Sequence, residues 1–125
     1  MPAAQTVAGV TASRDESPVK RVSGVTKSKG GLILSIYVQS SSAAIEYFQL
    51  FKNLTPSATP PFLVAVPADT AVPDMSYPIA IGGTLQIQIP GGDACPTSIV
   101  WCESTTQGTK TVAVTPQFTV SIQYR

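Results

Sequence analysis

AAIEYFQLFK, residues 43–52, is the densest aromatic stretch of the chain, with Tyr47, Phe48 and Phe51 inside five residues. Aromatic residues suit a pleated, half-buried surface, and successive side chains of a strand face opposite ways. Tyr47 and Phe51 then point to one side, and Phe48 and Leu50 to the other. Apolar residues on both faces predict a central strand covered on each side. NLTPSATPP (53–61) ends the strand in residues typical of turns. Asn53-Leu54-Thr55 matches the glycosylation sequon, but Pro56 follows it, and it is read as part of the turn.

Working outward, Gly30-Gly31 precedes LILSIYVQ (32–39), a strand with Leu32, Leu34, Ile36 and Val38 on one face. Ser40-Ser41-Ser42 turns it into the central strand. Residues 62–66 form a short strand bracketed by prolines, 68–78 a loop, and 79–81 a short edge strand. In TLQIQI (84–89) Leu85, Ile87 and Ile89 alternate with polar residues, the period of a strand buried on one side. Pro90-Gly91-Gly92-Asp93 reads as a turn, and TSIVWCE (97–103) as a nearly continuous apolar strand. A polar loop (104–110) and a brief pairing segment (111–114) lead to QFTVSIQY (117–124), which turns Phe118, Val120, Ile122 and Tyr124 inward. Seven or eight short strands, broken by Gly and Pro and without a helical period, predict an all-β fold. The architecture is an antiparallel β-sandwich, jelly-roll-like, over residues 31–125.

Residues 1–30 differ. They hold no aromatic residue, no Leu and no Ile. Arg14, Lys20, Arg21, Lys27 and Lys29 oppose Asp15 and Glu16, a net of +3, whereas residues 31–125 carry three positive and five negative residues, a net of −2. Such a segment buries too little apolar surface to offset its ordering entropy. It is expected to be an extended arm that does not pair with the sandwich, its five basic residues serving as partner contacts. Fully extended it reaches on the order of 100 Å, enough to cross a neighbouring subunit. The charges are spread among Ser, Val and Gly, so lacing between subunits is favoured over phosphate contact.

Charged residues make up 12% of the 125-residue chain and the net charge is +1. Low charge favours association over dispersal and speaks against a nucleic-acid partner. Histidine, the commonest general base and metal ligand, is absent. No apolar run has the length of a membrane span, and the N-terminus does not read as a signal peptide.

Among candidate reactive groups, Cys95 and Cys102 lie about 20 Å apart if the chain between them is extended. A disulfide needs less than about 7 Å, so none is expected within the chain. Cys102 reads as a small core residue, and Cys95 as a loop thiol able to cross-link to a neighbour. Two cysteines without histidine do not make a zinc site. A carboxylate pair for glycoside chemistry needs a separation of about 5–9 Å. Asp69, Asp74 and Asp93 fall in separate loops, and no spacing brings one to Glu46. Among the aromatics, Trp101 is expected in the core, and Tyr77, in a proline-rich loop, as the exposed contact for a partner or a carbohydrate.

One further pattern spans residues 45–125. Tyr47-Phe48-Gln49-Leu50-Phe51-Lys52-Asn53 is followed by a Thr/Pro/Ala loop, then by Val64 and Val66 between Pro61 and Pro67, and then by a Gly-containing turn. Ile99-Val100-Trp101-Cys102 runs into Ser104-Thr105-Thr106, and Val120-Ser121-Ile122-Gln123-Tyr124-Arg125 closes the chain. This order resembles a small β domain of tailed-bacteriophage virion proteins, in which the first segment reads aromatic-Leu-aromatic-Asn and the late strand ends in Ser/Thr repeats. Residues 91–96 depart from it, since the family often has an aromatic before this turn and Gly-Ile after it. The resemblance implies a structural subunit without catalytic residues or cofactor: a capsid decoration (cement) protein, or a component of a neck, tail or fibre. A decoration protein is the first expectation, with the major capsid protein or other virion subunits as partners. It would be present in repeated copies or as a homo-oligomer on the virion, assembled in the host cytoplasm, with no membrane partner. The alternatives are a neck, tail or baseplate subunit and, from another class, a carbohydrate-binding module for host-surface glycan.

Overall fold

The computed structural model describes residues 3–7, 10–16, 23–61 and 64–125, with side chains from residue 23 onward. Among the described residues there are nine strands and no helix: β1 (Ala3–Val7), β2 (Val10–Glu16), β3 (Ser23–Lys27), β4 (Gly31–Ser40), β5 (Glu46–Phe51), β6 (Met75–Ile79), β7 (Thr84–Cys95), β8 (Ile99–Ser104) and β9 (Phe118–Tyr124). They form a five-stranded sheet, β1-β2-β9-β4-β7, and a four-stranded sheet, β3-β8-β5-β6. Every pairing is antiparallel. The fold is an antiparallel β-sandwich, and most successive strands alternate between its two sheets.

The quoted stretch becomes β5, an internal strand between β8 and β6. Only Tyr47 of its six residues is not fully buried. Its inward side chains, Phe48 and Leu50, meet Ile99 and Trp101 of β8, Ile33, Ile36 and Val38 of β4, and Phe118, Val120 and Ile122 of β9. Phe48 and Trp101 stack with centroids 5.9 Å apart. Its outward Phe51 joins Val64, Val100 and Cys102, with Leu54 and Ala71 packed against them. The long β5–β6 connection thus covers the outer side of the four-stranded sheet.

Several boundaries differ from the sequence reading. Leu32 and Leu34 do not share the face of Ile36 and Val38, because the register shifts between Ile33 and Ser35. Ile33 takes the buried position instead. Residues 90–93 are not a turn but part of β7, whose pairing jumps from Ser35↔Gln88 to Ile33↔Asp93. The extra residues make a bulge in which Gly91 and Gly92 have φ of 79° and 85°. Residues 64–66 form no strand, and 62 and 63 lie outside the described residues. The edge strand expected at 79–81 begins earlier, at Met75, and tolerates Pro78 because β6 has a free edge. Thr111–Val114 contributes one bridge, Ser104↔Val112.

Within the N-terminal thirty residues the described strands also pair, contrary to expectation. β3 lies along β8 from Ser23↔Cys102 to Lys27↔Ile99, and Thr26 is buried. β2 pairs with β9 over four residues, Ser13↔Tyr124 to Glu16↔Ser121, and with β1 as a hairpin. Composition measures apolar area, but a strand edge also demands backbone partners. Small residues meet that demand: a Cβ on Gly24 would stand 2.6 Å from Trp101 Nε1.

Candidate functional site

The groups with perturbed chemistry lie in the core. Glu103 on β8 is opposite Phe48 on β5, and Glu46 lies two residues along β5 on the same inward face. Glu103 is 0% exposed and Glu46 7%. Glu103 Oε1 accepts the backbone N–H of Gln117 at 2.9 Å, and the two carboxyl groups hydrogen-bond to each other. Beyond that mutual contact, neither Oε2 has a hydrogen-bond partner among the described residues. Burial pushes the Glu103 carboxyl up to about 8. The hydrogen bond and the charge of Glu46 add to the rise, and the N–H groups of Gln117 and Phe118 oppose it. An acid pair was not expected at Glu46, because only Asp69, Asp74 and Asp93 were weighed as partners. The signal for Glu103 lay in the alternation Ile99, Trp101, Glu103, an acid in the third inward position of a strand buried throughout. The pair is enclosed by the sandwich and offers no surface to a substrate.

A second cluster joins the β5 end to the β7 bulge. Lys52 Nζ and Asp93 Oδ2 are 2.5 Å apart, and Asp74 accepts from Lys52 N and Asn53 Nδ2. Burial alone would lower the Lys52 pKa, but the Asp93 carboxylate outweighs it and the net direction is up. Cys95 ends β7, buried, with Sγ 3.6 Å from Asp93 O. It is therefore not the loop thiol expected. Burial pushes both thiols up to about 11, both cysteines are free, and they belong to different core clusters. Tyr77 is neither in a loop nor exposed. It sits in β6, half-buried against the main core, and its hydroxyl donates to Met75 Sδ at 3.1 Å. Burial pushes its pKa up. Trp101 is in the core as expected, 1% exposed.

The expected partner contacts of the arm do not form one group. Arg14 lies in β2 opposite Gln123. Lys20 and Arg21 lie outside the described residues. Lys27, in β3, donates to the Arg125 carbonyl at 3.2 Å, and Lys29 is exposed just beyond β3.

The outer face of the five-stranded sheet was missed by the sequence reading. Register places Gln88, Ser35 and Gln123 in one row, Gln86, Tyr37 and Ser121 in the next, and Thr84, Gln39 and Thr119 in a third. None of the nine carries a charge at neutral pH, and the central Tyr37 is 41% exposed. Gln39, Ser41, Gln117 and Thr119 line a shallow depression at its end. Among the described residues no group of three metal-ligating side chains occurs, and no helix is long and apolar enough to cross a membrane. The chain matches no family model, and neither a curated protein nor a solved structure was found to match it.

Proposed function

We propose that this chain is a structural virion subunit of a tailed bacteriophage, in first place a decoration protein docked on the major capsid protein. The observation that supports it is the disposition of the N-terminal segment. β3 completes the four-stranded sheet, while the β1–β2 hairpin extends the other sheet beyond β9 and ends in an edge strand, β1. An edge strand is a template for pairing with another chain. The docking element is then the hairpin, residues 3–16, rather than the whole of residues 1–30. The mechanism is mechanical: each copy buries surface across a seam of the shell, and about 800 Å² per partner is the usual scale of a stable contact.

Deleting residues 2–16 tests the reading, because it spares β3. The expected result is a folded sandwich that no longer joins particles, while the intact chain is recovered at one copy, or one-third of a copy, per capsid subunit by quantitative mass spectrometry. A ratio of a few per cent would move the protein to the neck or tail. Absence from purified particles would overturn the virion reading.

A second reading, a carbohydrate-binding module, is favoured by the uncharged amide and hydroxyl face around Tyr37. Tyr77 does not support it, being half-buried. This reading expects binding on an array of neutral glycans that is lost in Tyr37→Ala, and an array without signal would remove it.

A further inference from the structure

Glu46 and Glu103 are two acids on adjacent strands, sealed in a core and joined to each other. Buried charges are ordinarily paired with an opposite charge, and among the described residues no cation is among the groups that act on Glu103. At this end of the sandwich β4 and β9 contribute Ser40 and Phe118, paired with each other, and β6 contributes Ile79 opposite Glu46. The titratable groups packed against the main core from other elements are Tyr77 of β6, Cys95 of β7 and Tyr124 of β9. None is a cation. Lys52 is engaged by Asp93, Lys110 by the Pro67 carbonyl and Asp69, and Lys27 by the Arg125 carbonyl. With no counter-charge among the described residues, both carboxyls cannot be ionised in contact, and the pair retains a proton that belongs to neither residue alone.

The same pair holds a chain connection. Glu103 Oε1 takes the Gln117 N–H at the start of β9, and the Ala113 N–H bonds to the Glu103 carbonyl at 3.3 Å. Residues 105–117 are therefore anchored on Glu103 from both its backbone and its side chain. Ser40 and Ser42 hold the adjoining turn through side-chain bonds to the N–H groups of Ser42 and Ala44.

We propose that Glu46 and Glu103 form a one-proton lock on this end of the sandwich. With the shared proton in place, the pair fastens Gln117 and the start of β9 to β8. Loss of that proton leaves two adjacent anions in the core and releases the 105–117 connection. The partner of the device is the proton itself, and the opened state is favoured in alkaline solution.

The experiment uses the full chain labelled with ¹³C at the glutamate carboxyls. There are three glutamates, Glu16, Glu46 and Glu103, so three resonances are followed by NMR from about pH 4 to about pH 10. Two are expected to titrate as a coupled pair, with one proton retained beyond neutrality. Three independent titrations in the ordinary carboxylate range would overturn the lock. Hydrogen exchange on the same sample reads the opening. Exchange of the Gln117 and Phe118 amides is expected to rise up to about tenfold per pH unit as pH climbs from about 4.5 towards about 8, and to level off above that, relative to the Ile36 amide at the sheet centre. Glu46→Gln is expected to abolish that excess. A Glu46→Gln protein that keeps the wild-type excess would also overturn the proposal. Because the carboxyl titration is made on the wild type, a variant that fails to fold does not remove the test.

Discussion

Trp101 and Gly24 show how one residue constrains another across a strand pair. The indole lies over the position where a Gly24 Cβ would be, 2.6 Å from Nε1. Gly24→Ala therefore forces the largest core side chain to move. It is expected to cost about 1–3 kcal/mol, read as a lower midpoint in urea with an unchanged slope. A wild-type midpoint would mean that the indole shifts freely. The thiols make a second residue-scale prediction. Cys95 and Cys102 are 1% and 0% exposed, and burial holds both pKa values near 11. A thiolate reagent is expected to titrate none in the native protein and two after denaturation. One fast-reacting thiol in the native protein would reopen the cross-linking role once expected of Cys95.

The β7 bulge and the 104–111 loop are the elements whose geometry rests on single side chains. Gly92 has φ of 85°, and its Cβ would stand 3.1 Å from that of Leu32. Gly92→Ala is expected to lose about 1–2 kcal/mol from the left-handed backbone alone and to disturb the Lys52–Asp93 pair beside it. The loop depends on Gln49, fully buried in β5. Its Nε2 donates toward the carbonyls of Thr106, Gln107 and Thr109 at 2.9, 3.2 and 3.1 Å. Gln49→Leu keeps the volume and removes the donors, leaving those carbonyls without their buried partner. The expected cost is about 1–3 kcal/mol, with faster hydrogen exchange confined to residues 105–111. Unchanged exchange there would show that Ser104 Oγ, which also bonds the Thr106 and Thr109 carbonyls, suffices. Gln49 was read only as part of an aromatic strand, because its acceptors come from 57 to 60 residues further along the chain.

At the scale of the molecule, the acid pair sets the pH profile. The Glu103 carboxyl is at about 8 in the folded chain against an ordinary 4.5, so the unfolded chain releases its proton first. The stability tied to this group is fully present below about pH 4.5 and is lost as pH rises through about 8. Thermal midpoints are expected to fall from weakly acidic to alkaline solution and to level off in Glu103→Gln. A wild-type midpoint that rises across that window would contradict the assignment.

By itself the sequence determined the all-β class, the internal position of β5, the inward faces of β7 and β9, and the place of Trp101 in the core. Each follows from alternation and local turn residues, which act within a few positions of the chain. Tertiary structure alone decided the partners. β3 joined β8 because an open edge needs backbone groups, whatever the composition of the strand that supplies them. Leu32 and Leu34 left the core face because β4 carries an extra residue there, two of its positions spanning one step of β9. Glu46 met Glu103 across 57 residues: the alternation of β8 marks Glu103 as inward, but only the pairing of β5 with β8 brings the two together.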